Sequence, residues 1–179
     1  MSELAPGEAA LRGRAVVLRP AGEADLPRFL EILRDPVVAA WWGEYDEARL
    51  RRDVDPGSGG ATFAIEAGGD VAGLIQYWQE LDPHYRHAGI DIALHPRWHG
   101  RGLGTDALRT LARHLFDDLG HHRLTIDPAR ANAGAVRAYE RVGFRVVGVM
   151  RQYERGPDGG WRDGLLMDML RHELTPDVG

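Results

Sequence analysis

The chain has 179 residues, of which 44% are hydrophobic and 27% charged, and its formal net charge is −5. This length predicts one domain over residues 1–179, with an N-terminal tail at residues 1–13 and a C-terminal tail at residues 173–179. The sequence contains neither cysteine nor lysine, which excludes disulfides, thiolate nucleophiles, cysteine-bound zinc and Schiff-base chemistry. The only serines, Ser2 and Ser58, lie outside any G-x-S-x-G sequence, which argues against a serine hydrolase.

Charge and hydropathy also bear on partners and location. No apolar stretch approaches the roughly 18 residues of a membrane span, and the N-terminus lacks the basic start and apolar run of a secretory signal. We therefore expect a cytoplasmic protein, a monomer or a homodimer, with no membrane partner. The negative net charge disfavours nucleic acid and favours a cationic ligand.

The predicted secondary structure mixes helices and strands. In chain order the elements are a strand at residues 15–19, helices at 25–33 and 46–53, a loop at 55–60, a hairpin of strands at 62–66 and 71–78, a strand at 89–94, a helix from 103 to about 120, a strand at 123–127, a helix at 133–142, and strands at 144–152 and 165–171. Apolar residues recur at helical spacing in the helices and alternate in the hairpin strands. This order predicts a mixed α/β fold, with a central mixed sheet of about six to seven strands flanked by helices.

A glycine-rich connection, HGRGLGT, occupies residues 99–105 between a predicted strand and an amphipathic helix. Its three glycines let the main chain approach an anion closely, and the helix N-terminus adds unpaired N–H groups and a positive dipole end. Arg101 adds positive charge. These features predict a phosphate or pyrophosphate cradle, although a glycine-rich turn taken alone is equally consistent with a structural connection. A Walker A loop is excluded because the sequence has no lysine.

A second motif, NAGAVRAYERVGF, covers residues 132–144. Asn132, the only asparagine, is placed to cap the predicted helix, Tyr139 follows seven residues later, and Gly143 ends the helix. The two motifs, in this order and at this separation, resemble the GNAT superfamily of acyl-CoA-dependent N-acetyltransferases, and the resemblance covers about residues 14–172. It implies the GNAT-type fold, acetyl-CoA as acyl donor and no metal.

In that family the glycine loop binds the CoA pyrophosphate through main-chain amides, and the preceding strand pairs with the pantetheine arm. The resemblance therefore implies cofactor-binding roles for Ile92, Ala93, Leu94, His99, Gly100, Arg101, Gly102, Leu103, Gly104, Thr105, Asn132 and Tyr139. His99 departs from the Gln or Arg that usually opens the family motif. Tyr139 matches the family tyrosine that faces the leaving sulfur, where a phenol can protonate the departing thiolate. The alternative for Tyr139 is an aromatic residue that only packs on the helix face.

Four segments, at residues 35–47, 89–94, 125–144 and 156–159, are similar to the aminoglycoside 6′-N-acetyltransferases within that superfamily. The similarity implies Asp91 as the base-side carboxylate, Asp127 as a residue that holds the aminoglycoside, and Asp158 as a further substrate contact. A carboxylate can accept the proton that an ammonium must lose before it attacks a thioester. The alternative for Asp91 is a structural ion pair with Arg86 or Arg123, and for Asp127 a role in the turn before Pro128.

Trp41 and Trp42 are unusual because adjacent residues of a strand face opposite sides, so one of them should be exposed or line a cleft. They are predicted to stack on a substrate sugar or, alternatively, to close the first helical hairpin over the core. Two pairs of histidines, His95 with His99 and His121 with His122, lack zinc-site spacing, and we predict no metal.

Taken together, these features predict transfer of an acetyl group to a primary amine, best matched by the 6′-amine of an aminoglycoside, with Asp91 as base and Tyr139 as acid. Acceptors of the same fold that remain open are a hydroxylysine-type siderophore precursor, a polyamine or a protein N-terminus. Siderophore N-acyltransferases typically carry His where Asp91 stands, so Asp91 favours the aminoglycoside. A non-catalytic acyl-CoA sensor is disfavoured because the motif residues Gly102, Gly104, Asn132 and Tyr139 are intact.

Overall fold

A computed structural model describes residues 9–55 and 59–176, and over these ranges eight strands form one sheet in the order β1-β2-β3-β4-β5-β6-β8-β7. The strands are β1 (Leu11–Arg12), β2 (Val17–Pro20), β3 (Gly60–Ala67), β4 (Asp70–Glu80), β5 (His87–Leu94), β6 (Arg123–Ile126), β7 (Arg145–Arg155) and β8 (Trp161–Leu170). The helices are α1 (Leu26–Arg34), α2 (Pro36–Trp42), α3 (Glu47–Val54), α4 (Leu103–Arg113) and α5 (Ala133–Val142). The predicted mixed α/β class is confirmed.

The sheet has eight strands rather than the six or seven expected. The additional strand is β1, a two-residue edge segment that pairs antiparallel with β2 inside the predicted N-terminal tail. A strand this short carries no detectable alternation, so only its pairing partner reveals it. The predicted loop at residues 55–60 lies partly outside the described residues, and α4 runs on through one wider turn at His114–Asp118.

Helix α2 corrects the interpretation of the two tryptophans, which lie in a helix and not in a strand. Asp35 caps the helix by accepting a hydrogen bond from the Val37 main-chain N–H at 2.9 Å, Pro36 occupies its first position, and Gly43 ends it at φ 73°. An Asp-Pro pair is a helix-start signature that the apolar pattern obscures. Both tryptophans are partly buried on this helix.

The two faces of the sheet carry separate layers of core. Helices α4 and α5 cover one face, where Ile90 is buried with Ile92 and Leu94 packed around it, while α1, α2 and α3 cover the other face, where Ala93 is buried. Since side chains alternate along β5, Asp91 points to the same side as Ala93. The strand therefore presents a carboxylate to the layer of α1–α3 and its aliphatic residues to α4.

The feature that positions the site is an opening between β5 and β6. These two strands are parallel and pair only at Ala88 with Leu124 and at Gly89 with Thr125. Strand β5 continues to Leu94 on the support of β4 alone, whereas β6 ends two residues before Pro128, which has no N–H to donate to a sheet. The sheet is therefore split over the second half of β5.

No helix in the described part of the chain is long and apolar enough to span a membrane. Across residues 9–55 and 59–176, no group of three His, Asp or Glu side chains is placed to hold a metal ion. Of the histidines considered, His95 accepts a hydrogen bond from the Arg97 N–H at 3.2 Å, and His121, in the segment before β6, is hydrogen-bonded to Gln79 of β4 at 2.8 Å.

Candidate active site

A cleft of about 840 Å³ lies at the opening between β5 and β6. Most of the residues that the sequence singled out line it, namely Trp41, Trp42, Asp91, Ile92, Ala93, Leu94, His99, Gly100, Gly102, Leu103, Gly104, Thr105, Asp127, Asn132 and Tyr139. Arg101 and Asp158 are not among its lining residues. Residues up to 117 apart in the chain, from Val37 to Glu154, therefore meet at one place.

One wall of the cleft is the free edge of β5. The His95 N–H donates to the Ala72 carbonyl of β4 at 2.9 Å, and since hydrogen-bonding direction alternates in an antiparallel pair, the main-chain groups of Ile92 and Leu94 face the opening. An extended ligand can pair with this edge as an added strand would. The His99 ring lies with Nε2 2.8 Å from the Leu94 carbonyl oxygen, so this histidine organises the strand end, and its main chain begins the glycine loop.

The glycine loop ends at the N-terminus of α4. Gly102 caps this helix at φ 75°, in the left-handed region that favours glycine, and no atom lies within 4 Å of where its Cβ would be. A Cβ on Gly104 would lie 3.3 Å from Leu94 Cδ1, so this glycine allows the helix to pack closely on β5. Open main-chain N–H groups at the start of an 11-residue helix fit the pyrophosphate of CoA.

Arg101 lies at the rim of this loop, outside the cleft lining. Its guanidinium is 5.0 Å from the centre of the Trp98 ring, and Trp98, which the sequence reasoning missed, does line the cleft. This contact keeps the Arg101 guanidinium beside the glycine loop and outside the cleft.

Tyr139 enters the cleft from α5. Asn132 caps this helix as predicted, accepting a hydrogen bond from the Ala135 N–H at 3.2 Å. The Tyr139 ring meets Phe144 edge-on with 6.3 Å between ring centres, so it both packs and lines the cleft. Burial, followed by the negative charges of Asp91 and Asp127, raises the pKa of the Tyr139 phenol, which therefore carries its proton at neutral pH.

The two predicted carboxylates face each other across the opening. Two residues beyond the last pair of the two strands, Gly89 with Thr125, Asp91 lies within β5 and Asp127 lies directly after the end of β6. Both line the cleft. Burial, together with the charge of Asp127, raises the pKa of Asp91 to about 6, although the Gln76 side chain at 3.5 Å partly opposes the shift. A carboxylate with such a pKa is ionised at neutral pH and basic enough to accept a proton.

The alternative role for Asp91, a structural ion pair with Arg86 or Arg123, is wrong. Arg86 donates to the Leu119 carbonyl at 2.7 Å, and Arg123 pairs with Asp168 at 2.8 Å, so neither arginine neutralises Asp91. The charge of Asp91 is therefore directed into the cleft, with Gln76 as its hydrogen-bond partner.

Asp127 has a different neighbour. Tyr153 of β7 donates its hydroxyl proton to the Asp127 carboxylate. Burial raises the pKa of Asp127, and this hydrogen bond lowers it, with burial dominant. Asp127 thus faces the cleft and also fastens β7 to the end of β6, beyond any role in the turn at Pro128.

Several lining residues escaped the sequence reasoning, among them Tyr45, Arg49, Gln76, Tyr153 and Glu154. Gln76 carries a signal that was available, since it is a lone amide within the apolar strand sequence VAGLIQYW and the register sets it between Thr62 and Asp91. Tyr153 and Glu154 carry no such signal, because only the β7–β8 hairpin brings them to the cleft.

Arg162 of β8 holds α2 over the acceptor side of the cleft. Its guanidinium donates to the Ala40 and Trp41 carbonyls at 2.7 Å each and lies 3.1 Å from a carboxylate oxygen of Glu154. The last carbonyls of a helix have no partner within the helix, and here an arginine 121 residues beyond Trp41 supplies one. The tryptophans are therefore positioned by a long-range contact.

Asp158 does not join the site. It lies in the exposed turn between β7 and β8, where its carboxylate accepts a hydrogen bond from the Gly160 N–H at 2.9 Å. Asp, Gly and Pro are the residues that such turns favour, and this local role accounts for the GPDG sequence.

Comparison with known proteins gives the same answer for the family. The family model described as an acetyltransferase (GNAT) domain matches residues 15–145. The aminoglycoside N(6′)-acetyltransferase type 1 of Klebsiella pneumoniae is 30% identical over 165 residues, covering 81% of this chain and 79% of that protein. The spermidine N(1)-acetyltransferase of Escherichia coli K12 is 28% identical over 115 residues, covering 64% of this chain and 61% of that protein.

A similar solved structure is that of AAC(6′)-Ib in complex with paromomycin and acetyl-CoA. It superposes with a TM-score of 0.73 at 26% identity, covering 89% of this chain and 95% of that chain. The family model spans most of the chain, and the glycine loop before α4 is the feature that the resemblance implied. The chain therefore belongs to the GNAT family and is an acetyl-CoA-dependent N-acetyltransferase.

Proposed function

We propose that this enzyme acetylates a primary amine of a polycationic sugar, the 6′-amine of an aminoglycoside, with Asp91 as the base and Tyr139 as the acid. The observation that carries the proposal is the pair of carboxylates that line the cleft at the opening, Asp91 within β5 and Asp127 directly after the end of β6. Two negative charges on one face of the cleft favour an acceptor with more than one ammonium group.

The acceptor side of the cleft also has the surfaces that a sugar needs. The partly buried Trp41 and Trp42 supply aromatic side chains, and Glu154 adds a carboxylate that is paired with Arg162 at 3.1 Å. Aromatic faces pack against the apolar faces of sugar rings, whereas a flexible polyamine gains less from such surfaces than from charge. The similarity to an aminoglycoside N(6′)-acetyltransferase over 81% of the chain supports the same acceptor class.

In the proposed reaction Asp91 accepts a proton from the substrate ammonium, directly or through water. The freed nitrogen lone pair attacks the thioester carbonyl carbon, the carbon–sulfur bond breaks, and Tyr139 gives its phenolic proton to the CoA thiolate. The nitrogen loses its second proton to solvent water as the amide forms, Tyr139 regains from water the proton that it gave, and Asp91 releases its own proton to solvent, so the products are the amide, the CoA thiol and one proton. The main chain of Gly102 and of the first turn of α4 holds the pyrophosphate, so the donor and the acceptor meet at the opening.

A second acceptor class, the polyamines, is favoured by one observation, the 28% identity to a spermidine N(1)-acetyltransferase. The carboxylates would serve a polyamine equally well, since its charge is all that they recognise. The aromatic pair of Trp41 and Trp42 is the feature that distinguishes the two acceptors.

An acetyl-CoA thiol-release assay separates the candidates. We expect turnover with kanamycin to exceed turnover with spermidine and with N6-hydroxylysine, each measured as kcat/KM at one ionic strength. A reaction mixture without enzyme serves as the control for non-enzymatic release. A higher kcat/KM for spermidine would reassign the acceptor class, and thiol release from none of the three amines would overturn the proposal.

The proposal treats residues 1–179 as a single domain that acts on a cationic small molecule. Support comes from the one sheet that extends from Leu11 to Leu170 and from a cleft lined by both halves of the chain. Because Leu11 and Arg12 form β1, the sheet includes part of the tail predicted at residues 1–13.

A further inference from the structure

A second cavity, of about 200 Å³, lies beside the cleft on the side of Tyr153. Asp127 and Tyr153 line both cavities, and the hydrogen bond between them makes this pair the shared wall. The other lining residues are Trp78, His87, Gly89, Ile90, Arg123, Thr125, Met150 and Leu166. The second cavity thus adjoins the acceptor side of the cleft, and none of its lining residues belongs to the glycine loop.

The indole of Trp78 forms the floor of this cavity. Trp78 of β4 and Gly89 of β5 are cross-strand partners, and a Cβ on Gly89 would lie 2.1 to 2.4 Å from three atoms of the indole. The ring therefore lies directly on the main chain of Gly89, in space that any side chain would fill. The His87 ring meets it edge-on, with 5.2 Å between ring centres.

The Trp78 side chain is exposed to solvent, whereas most aromatic side chains of the fold are buried or partly buried. It is 46% exposed, although it lies in the middle of the sheet order on β4. A broad indole held rigidly by a glycine and a neighbouring ring loses little conformational freedom when a ligand stacks on it. Because the ring lies beside the acceptor cleft, the ligand expected to stack on it is part of the acceptor substrate.

The charges around the cavity favour a cation-bearing ligand. The one guanidinium in its lining, that of Arg123, is paired with Asp168 at 2.8 Å, so its positive charge is offset. Asp127 contributes a carboxylate at the wall, and an aromatic face attracts ammonium groups. The cavity has room for one six-membered ring.

We propose that this cavity is an acceptor subsite that holds a second ring of the substrate, an amino sugar or aminocyclitol, stacked on Trp78. The reactive ring lies in the main cleft at Asp91, and the linkage between the rings passes the wall of Asp127 and Tyr153. The subsite rests on the proposed function, because it extends the acceptor site described above. It favours multi-ring aminoglycosides over single-ring amines and linear polyamines.

The test compares two acceptors that carry the same reactive amine. Kanamycin is the multi-ring acceptor, and the methyl glycoside of 6-amino-6-deoxyglucose is the single-ring acceptor. We expect Trp78→Ala to lower the ratio of their kcat/KM values about tenfold, the loss of one aromatic stacking and cation contact. Trp78→Phe should keep most of the ratio. Gly89→Ala should lower it while Trp78 is still present, because the added methyl group displaces the indole.

The matched control is Trp161→Ala. Trp161 is 56% exposed, lies at the β7–β8 hairpin and lines neither cavity, so its loss should leave the ratio unchanged. Melting curves and light scattering on each variant report folding and particle mass.

The outcomes are distinct. A ratio unchanged within twofold in Trp78→Ala would overturn the subsite and leave the proposed function intact. A change in particle mass with an unchanged ratio would assign Trp78 to a contact between copies, which also overturns it. If the wild-type enzyme acetylates neither acceptor, the proposed function fails and the subsite fails with it.

Discussion

The two sides of the opening between β5 and β6 are built from different chemistry. On the donor side, the main chain of Ile92, the glycine loop and the first turn of α4 face the cleft. On the acceptor side, the lining consists of side chains, among them Asp91, Asp127 and the aromatic residues of α2. The donor side presents main-chain N–H and C=O groups to its ligand, which every residue type can supply. The acceptor side presents carboxylate and aromatic side chains, which depend on the residue at each position.

The comparison explains why the donor is shared across the family and the acceptor is not. A main-chain site tolerates many side chains but requires glycine wherever a Cβ would fill the site or the backbone is left-handed. A side-chain site changes with each substitution and depends on elements far apart in the chain. Apart from Tyr139→Phe, each of the following experiments changes one side alone, so a variant that altered the binding of both ligands would contradict the distinction.

The largest effect is expected for Asp91→Asn, which removes the base and its charge while preserving the shape. We expect kcat/KM for a cationic acceptor to fall by about 10²–10⁴-fold, since general-base catalysis is lost. Calorimetry should show unchanged acetyl-CoA binding, because the donor side contains no carboxylate contact. As a matched variant, Asp127→Asn should raise KM for the acceptor more than it lowers kcat. Full activity in Asp91→Asn would remove the base assignment.

Tyr139→Phe tests the group placed between the two sides. The ring contact with Phe144 survives this change, so packing is preserved and only the phenolic proton is lost. We expect kcat to fall by up to about 10²-fold with little change in acceptor KM. If steady-state kinetics showed a wild-type kcat for this variant, the role of Tyr139 would be packing alone.

A Gly102→Val variant should affect only the donor side. Valine is strained at φ 75°, and its side chain projects where the pyrophosphate should lie, so we expect acetyl-CoA affinity to fall at least about tenfold. Gly159→Val is the control, because Gly159 has φ 79° and lies in the hairpin turn away from the cleft. Calorimetry on both variants separates backbone strain from ligand contact, and equal affinities would contradict the placement of the cradle.

The smallest effect concerns pH and belongs to the acceptor side. Because the pKa of Asp91 is raised to about 6, the carboxylate is charged above this pH and protonated below it. Only the charged form accepts a proton, so kcat/KM should fall about tenfold between pH 7 and pH 5. Acetyl-CoA affinity should change little over the same range. A flat kcat/KM profile across pH 6 would exclude Asp91 as the titrating base.

The local motifs determined the donor side. Two short segments, HGRGLGT and Asn132–Phe144, each contain the residues that begin a helix. Capping rules and glycine positions were therefore enough to predict where α4 and α5 start. The alternation of Gly89–Leu94 likewise predicted the strand that carries Asp91. Such features depend on neighbours within a few residues, and the sequence contains them in full.

Tertiary structure decided the acceptor side. Gln76 meets Asp91 through strand register, Tyr153 meets Asp127 through the fold of β7, and Arg162 fixes α2 across 121 residues of chain. Asp158, which a local motif had assigned to the substrate, is instead held in its own turn. No local sequence pattern relates the residues that these contacts join. They meet because the fold packs distant elements against each other.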